Sequence, residues 1–446
     1  MRHVPADANL LRRANMFKMM RYAVVAVACL AAALSGTPGT MMAQSTTQGG
    51  IAGTVFDATD AVVANAKVTI HSDATNADVT TTSGDSGEFR APLLAPGTYT
   101  VSISAAGFKE DRSTGVVVQV NQVTQLNPHL TTGSATQTVE VTATMPVLNF
   151  DSPEFGGHLD NKEIENIPIN NRRWSSLALT TPGVTNDASG FGLLSFRAIP
   201  AVLNMVQIDG VDDNQAFFSE ERGRTRAGYS TSQVAVREFQ VNTGVYSAEL
   251  GRAVGGVVNS VTKQGGNQLH GEVYFYHRGD EFSSKNEKTT LPNPVSGGAP
   301  IVFRPKDKRN QYGFGVGGPL IRNKLFGFYA FDAFRRNFPG TAVSGNPSSL
   351  AAACTSALLT ATGTTASQCA SALADLQGDL GVVPRFGNQL INTPKLTWQI
   401  NAKNSLDVYY HRLRWDSPGG VQTQAALSYA RDAFGTQQVR GGGIEG

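Results

Sequence analysis

Apolar and polar residues alternate with period two along most of this chain. "AKVTIH" sets Ala66, Val68 and Ile70 on one face, and "TYTVSISA" does the same with Tyr99, Val101, Ile103 and Ala105. Gly87 and Pro96-Gly97 supply turns between such runs, and "GVVVQVNQ" adds another strand. Short strands with turns at this spacing predict a β-sandwich between about Gly49 and Thr131. From about Val147 to Gly266 the pattern is mixed. "NKEIENIPINNRRW" starts amphipathic, with Ile164 and Ile167 among charges, and stops at Pro168. Trp174 to Leu179 predicts a further helical turn, and "VLNMVQIDGVDDN", "VREFQVNTG" and "AVGGVVNSVTKQGG" predict strands. Short helices and strands in this mixture predict a compact α+β domain.

After Gly266 the rhythm changes again. Strands are predicted over Gly271 to Arg278 and in "NQYGFGVGG", "LFGFYAFDAFRR", "KLTWQI" and "LDVYYHRLR". The short connections "PLIRNK" and "NAKNS" alternate with long polar ones, as in membrane barrels with short periplasmic turns and long external loops. In the second strand Tyr312, Phe314 and Val316 oppose Gly313, Gly315 and Gly317. The aromatic face is expected to meet lipid and the glycine face to line a crowded lumen. Asp332 shares a face with Phe326, Phe328 and Phe334, which leaves the third strand unoriented. The fold class is therefore mainly β: a sandwich, an α+β domain and the first strands of an incomplete transmembrane barrel.

Composition narrows the function. A chain of 446 residues implies two or three units, and 16% charged residues with 47 Gly suits strands and turns. A formal charge of +2 implies no nucleic-acid partner. Arg12, Arg13, Lys18 and Arg21 precede the apolar run "YAVVAVACLAAAL", which predicts a signal peptide over residues 1–43; an uncleaved anchor is the alternative. Cys29 lies in that leader. Cys354 and Cys369, fifteen residues apart, can close a loop in an oxidising compartment, worth about 3 kcal/mol, or stay as thiols.

Catalytic signatures are missing. None of the seven His begins HxxE or HExxH, and no GxSxG occurs. "GFGVGG" spells a dinucleotide fingerprint, but its glycines alternate with aromatics and Pro319 follows, so no helix N-terminus can receive phosphate. "DGVDDN", Asp209 to Asn214, lacks the spacing of a calcium loop, and "RGD", Arg278 to Asp280, reads as a strand end. No catalytic, cofactor or metal residue is assigned, and the chain is expected not to be an enzyme.

Two stretches resemble known families. "TSGDSGEFRAPLLAPGTYTVSISAAGF", Thr82 to Phe108, resembles the carboxypeptidase regulatory-like domain, a prealbumin-type sandwich with no peptidase role of its own. "IENIPINNRRW", "TPGV", "VQIDGVDDN" and "REFQVNTGVYSAELGRAVGGVVNSVTKQGGNQLHGEVYFYHR" resemble the plug and first barrel strand of TonB-dependent outer-membrane receptors, in family order and closest to the Oar-like group. The resemblance implies residues 44–131 as the sandwich, 132–146 as a linker, 147–266 as the plug and 267–446 as partial barrel. It also implies outer-membrane lipid around the barrel, a periplasmic N-terminal domain, TonB as partner and an unknown transported ligand. In the plug, Gly251, Gly255 and Gly256 are expected to let the backbone pass close to the barrel wall. "QTVEVTAT" has two readings: the last strand of the sandwich, or a TonB-box-like peptide (Thr138, Val139, Glu140, Val141, Thr142 and Ala143) that a partner sheet captures.

About five wall strands are legible, whereas closed membrane barrels start at about 8. The expectation is a fragment of a receptor. The alternative is an exported periplasmic or surface binding protein without a complete barrel.

Overall fold

The computed structural model describes residues 46–133, 138–142, 155–169, 172–186, 193–215, 229–246, 250–287, 289–291, 298–342, 354–378, 381–402, 404–416, 426–427 and 436–445. The leader and Ala143 lie outside the described residues.

Alternation in the first domain produces two sheets with a shared apolar interior. One sheet has the order β4 (Glu88–Leu94), β1 (Gly49–Thr54), β7 (Val123–Gln125). The other runs β8 (Thr138–Thr142), β6 (Glu110–Val118), β5 (Gly97–Ser104), β2 (Lys67–Ser72), β3 (Asp78–Thr82). Ile51 and Phe89 from the first sheet meet Val68, Ile70, Val101 and Ile103 from the second in one core. Each such side chain contributes on the order of 2 kcal/mol on burial. Tyr99 closes one edge, its hydroxyl donating to the Ala95 carbonyl at 2.7 Å. Burial pushes that hydroxyl up to about 12, with Arg237 opposing and Asp73 adding to the shift.

The second domain carries a five-stranded sheet, in the order β9 (Phe155–Leu159), β12 (Val236–Gly244), β13 (Val257–Thr262), β10 (Met205–Ile208), β11 (Val211–Asp212). The amphipathic stretch forms α1 (Asn161–Asn166). A capping box fixes its start: Asp160 accepts from the Glu163 N–H, and Glu163 accepts from the Asp160 N–H, both at 2.9 Å. Pro168 follows its end, where a helical N–H would otherwise be needed. The predicted turn at Trp174 is a 3-10 helix, Trp174–Thr180. Its Trp174 packs edge-on to Phe239 with centroids 5.8 Å apart, and its indole N–H donates to Ser230.

The wall is one antiparallel sheet in sequence order: β14 (His270–Arg278), β15 (Lys308–Ile321), β16 (Leu325–Asn337), β17 (Phe386–Asn401), β18 (Asn404–Asp416) and β19 (Thr436–Glu445). The sixth strand was not legible, because its Gly441-Gly442-Gly443 run has neither alternation nor strand propensity. Its main chain nonetheless pairs along β18, from Asp416↔Thr436 to Asp407↔Glu445. The excursion between β16 and β17 holds α2 (Ser356–Thr362) and α3 (Ala366–Gly378). Cys354 and Cys369 are joined there by a disulfide, with Cα atoms 5.9 Å apart.

The two faces of the wall differ as the alternation requires. Val273, Phe275, Tyr312, Val316, Leu396, Trp398, Val408 and Tyr410 are exposed on one side. Gly313, Gly315, Gly317, Phe326, Phe328, Ala330 and Asp332 are buried on the other, against the α+β domain. The third strand therefore turns its Asp332 face inward.

The glycines of the plug act differently from expectation. A Cβ on Gly256 would strike the Phe196 ring, and one on Gly255 would meet Ile199 at 3.1 Å; both are neighbours inside the domain itself. A Cβ on Gly251 would meet nothing within 4 Å. The close approach to the wall occurs at Gly265, where a Cβ would meet the Gly318 carbonyl at 2.8 Å, and at Gly315, which faces Val234 at 3.0 Å. The reason is placement: Val257–Thr262 is an inner strand of the domain sheet, and the chain reaches the wall only as it leaves that sheet.

Candidate functional site

Two polar clusters join the α+β domain to the inner face of the wall. The first centres on Asp332 of β16, which is fully buried. Its carboxylate accepts from the Tyr229 and Tyr274 hydroxyls, from Ser232 Oγ at 2.9 Å and from Gln311 Nε2 at 3.0 Å. Tyr229 and Ser232 belong to the domain, whereas Tyr274 and Gln311 belong to the wall. Burial and then the Asp332 charge hold the Tyr229 hydroxyl well above its ordinary range, so it remains a donor. The second cluster is a buried ion pair, Lys395 Nζ to Asp209 Oδ2 at 3.2 Å, with side chains 4% and 1% exposed. Asp209 also accepts from the Thr262 N–H at 2.8 Å and from its hydroxyl. This is the role of the first residue of "DGVDDN": it anchors the domain to β17. Around these clusters His411 Nε2 lies 2.9 Å from the Ser230 carbonyl, the Tyr409 hydroxyl donates to the Ile208 carbonyl, and Gln389 donates to the Tyr229 carbonyl.

The wall end with long excursions is basic. Cross-strand register sets Arg278 beside Arg309, and Arg309 beside Arg336. Asp307 accepts from both Arg309 and Arg336, the latter at 2.8 and 2.9 Å. Burial would raise the Asp307 carboxyl, but the two guanidinium groups outweigh it and hold the group below the usual range. A cavity of about 430 Å³ opens here, where Arg278, Arg304, Lys306 and Arg385 outnumber the two carboxylates of the lining, Asp280 and Asp307. Such a lining suits an anionic group. Asp307→Asn removes the counter-charge from this row, and a loss of about 2 kcal/mol is expected in chemical denaturation of the detergent-solubilised chain. Because the folded carboxyl titrates low, that loss should be full above the unfolded value near 3.8 and fade as pH falls through the folded value.

The sandwich touches both other parts. Glu238 Oε2 accepts from the Val120 N–H at 2.9 Å and lies 3.3 Å from His158 Nε2. At the short-turn end of the wall, Asn76 donates to Asn323, the Asn323 N–H donates to Asn267, and the Asn267 N–H donates to the Ala74 carbonyl at 2.8 Å.

Of the residues singled out from sequence, Thr138–Thr142 form β8 on the edge of the sandwich, parallel to β6. "GFGVGG" lies inside β15, with Gly315 opposite Ala330. Arg278 ends β14, and Asp280 starts the turn Asp280–Phe282. Asp332 and Lys395 were missed as anchors. The only signal was a charge on an otherwise alternating wall strand, and it does not name its partners.

The same β6 holds Asp111, which is buried and whose carboxyl burial pushes up, with Ser113 opposing. The sign follows: folding carries no penalty below the unfolded value near 3.8, and the penalty grows as pH rises through the higher folded value. Asp111→Asn should therefore gain stability relative to the unaltered chain across that window and hold the gain above it, read as the difference between two denaturation series.

Residues 50–131 match the family described as carboxypeptidase regulatory-like domain, and residues 261–434 match the outer membrane beta barrel domain. The TonB-dependent transporter Oar of Myxococcus xanthus is 27% identical over 301 residues, covering 65% of this chain and 27% of that protein. A probable TonB-dependent siderophore receptor, PirA of Acinetobacter baumannii, is 25% identical over 188 residues, covering 38% of this chain and 22% of that one. The chain thus spans about a quarter of the length of these curated relatives. Among solved structures, the outer membrane transporter YddB from Escherichia coli aligns over 59% of this chain and 33% of its own, with 14% identity and a TM-score of 0.43. The two relatives are a TonB-dependent transporter and a probable siderophore receptor, and the matched barrel family is an outer-membrane one. A regulatory-like sandwich and an outer-membrane barrel segment in one chain, with a TonB-dependent transporter matched over 65% of it, make this chain similar to TonB-dependent receptors that carry an N-terminal regulatory-like domain.

Proposed function

We propose that the chain is the N-terminal part of a TonB-dependent outer-membrane receptor or transporter, in which the α+β domain is the plug of a barrel begun by β14–β19. The observation that carries this reading is the buried Lys395–Asp209 pair together with the Asp332 cluster. A domain continuous with the first wall strand is held to the inner face by these polar contacts and by apolar packing against Phe328, Ile391, Leu413 and Trp415, whereas the opposite face of the wall is apolar and exposed. The sandwich faces the periplasm in this reading, supported by its contacts at the short-turn end of the wall. TonB captures the segment Thr138–Ala143 as an added strand, and traction on it loosens the plug. The transported ligand carries anionic groups that the Arg278–Arg309–Arg336 row receives.

The test is direct. Val139→Pro with Val141→Pro removes two main-chain donors from the segment. Binding of the purified C-terminal domain of TonB to the full chain should then disappear. Unchanged affinity would remove the segment from the mechanism.

A further inference from the structure

The edge of the sandwich already holds a strand. Thr138–Thr142 pair in parallel with Glu110–Thr114 of β6, in the unbroken register Thr138↔Glu110 through Thr142↔Thr114. The opposite edge of β6 is taken by β5, and β8 is the last strand of its sheet. Glu140 holds the register position of Arg112 in this ladder. The sandwich itself is fastened to the plug through Glu238 and to the wall turn through Asn76.

We propose that this edge of β6 is a docking site for the chain's own segment Thr138–Thr142, and that docking there competes with capture of the segment by TonB. The inference rests on the reading of this segment as the TonB-binding strand. The main-chain groups that face β6 are engaged in its ladder and cannot serve a partner sheet. Strand addition on that edge therefore begins with release from β6. Release is feasible because a parallel ladder of five residues at a sheet edge is a weak one, and no tight turn ties β8 to β6. The sandwich would thus set how readily the receptor is coupled to its energy source.

The experiment uses the full chain in detergent. Glu140→Cys with Arg112→Cys places thiols at one register pair; a short bismaleimide reagent then locks β8 onto β6. Cross-linking in the absence of TonB, with slow amide exchange over residues 138–142, is the expected result, and its failure overturns docking. The locked chain should bind the purified C-terminal domain of TonB at least about tenfold more weakly than the same variant with its thiols capped singly. Equal affinity overturns the competition and means that TonB adds to the outer edge of the docked strand. If the unaltered chain and the capped variant both fail to bind while the cross-link forms, the TonB-binding assignment falls and the competition with it. The segment is then a strand of the sandwich alone.

Discussion

Lys395→Ala is expected to cost about 3–5 kcal/mol, because it leaves the Asp209 carboxylate buried without its counter-charge. Asp209 would keep the Thr262 N–H and hydroxyl as its remaining partners in a poorly solvated place. The matching change Asp209→Asn with Lys395→Met should recover most of the loss, since a buried pair replaced as a unit is often near neutral. Chemical denaturation of the chain in detergent reads both variants. Hydrogen exchange over Met205–Ile208 and Val257–Thr262 locates the effect, because these two strands pair in parallel and Asp209 ties their ends together. If Lys395→Ala denatures like the unaltered chain, the ion pair does not hold plug to wall.

The second large effect is expected at Asp332. Replacement by Ala strips the acceptor from four donors at once: Tyr229, Tyr274, Ser232 and Gln311. At about 1–3 kcal/mol for each buried group left unpaired, and with some donors finding new partners, a loss of about 4 kcal/mol is expected. Asp332→Asn keeps one acceptor oxygen and should lose about half as much. The discriminating readout is local. Amides around Tyr229–Ala235 should exchange faster in Asp332→Ala, while those of β2 and β5 in the sandwich keep their rates. A uniform loss across all three parts would mean that Asp332 supports global folding rather than the joint.

The two joints also differ in what they ask of a loosening plug. The Asp332 site takes donors from domain and wall alike, so withdrawing the domain leaves Tyr274 and Gln311 on the carboxylate. The Lys395 site has a single cation, and separation leaves two charges to be rehydrated. Solvent entry at the second joint therefore sets more of the cost of movement.

Much of this architecture was legible because strand alternation is a local property. Ile70 and Val101 sit in one core for the same reason that each alternates with polar neighbours in its own strand. The wall could be read from Tyr312, Phe314 and Val316 opposing three glycines, since period two fixes which side chains share a face. The capping box at Asp160 and Glu163 and the break at Pro168 are likewise written within a few residues. Other features depend on partners far away in the chain. The orientation of β16 follows from Tyr229, about a hundred residues earlier, whose hydroxyl finds Asp332. The neighbours of Gly255 and Gly256 proved to be Ile199 and Phe196 because the strand they precede is internal to the domain sheet. The sixth wall strand exists through the ladder it makes with β18, despite a glycine run with little tendency of its own. For Thr138–Thr142 the sequence offered two uses of one alternating strand, and the register with Glu110–Thr114 shows where it rests. The sequence by itself determined the strands whose residues alternate and, where one face is uniformly apolar, which face that is, because those follow from side-chain period and backbone propensity. Only the tertiary structure decided which charge meets which donor and which edge holds which strand, because long-range pairing depends on the summed geometry of many strands and leaves no trace in any one of them.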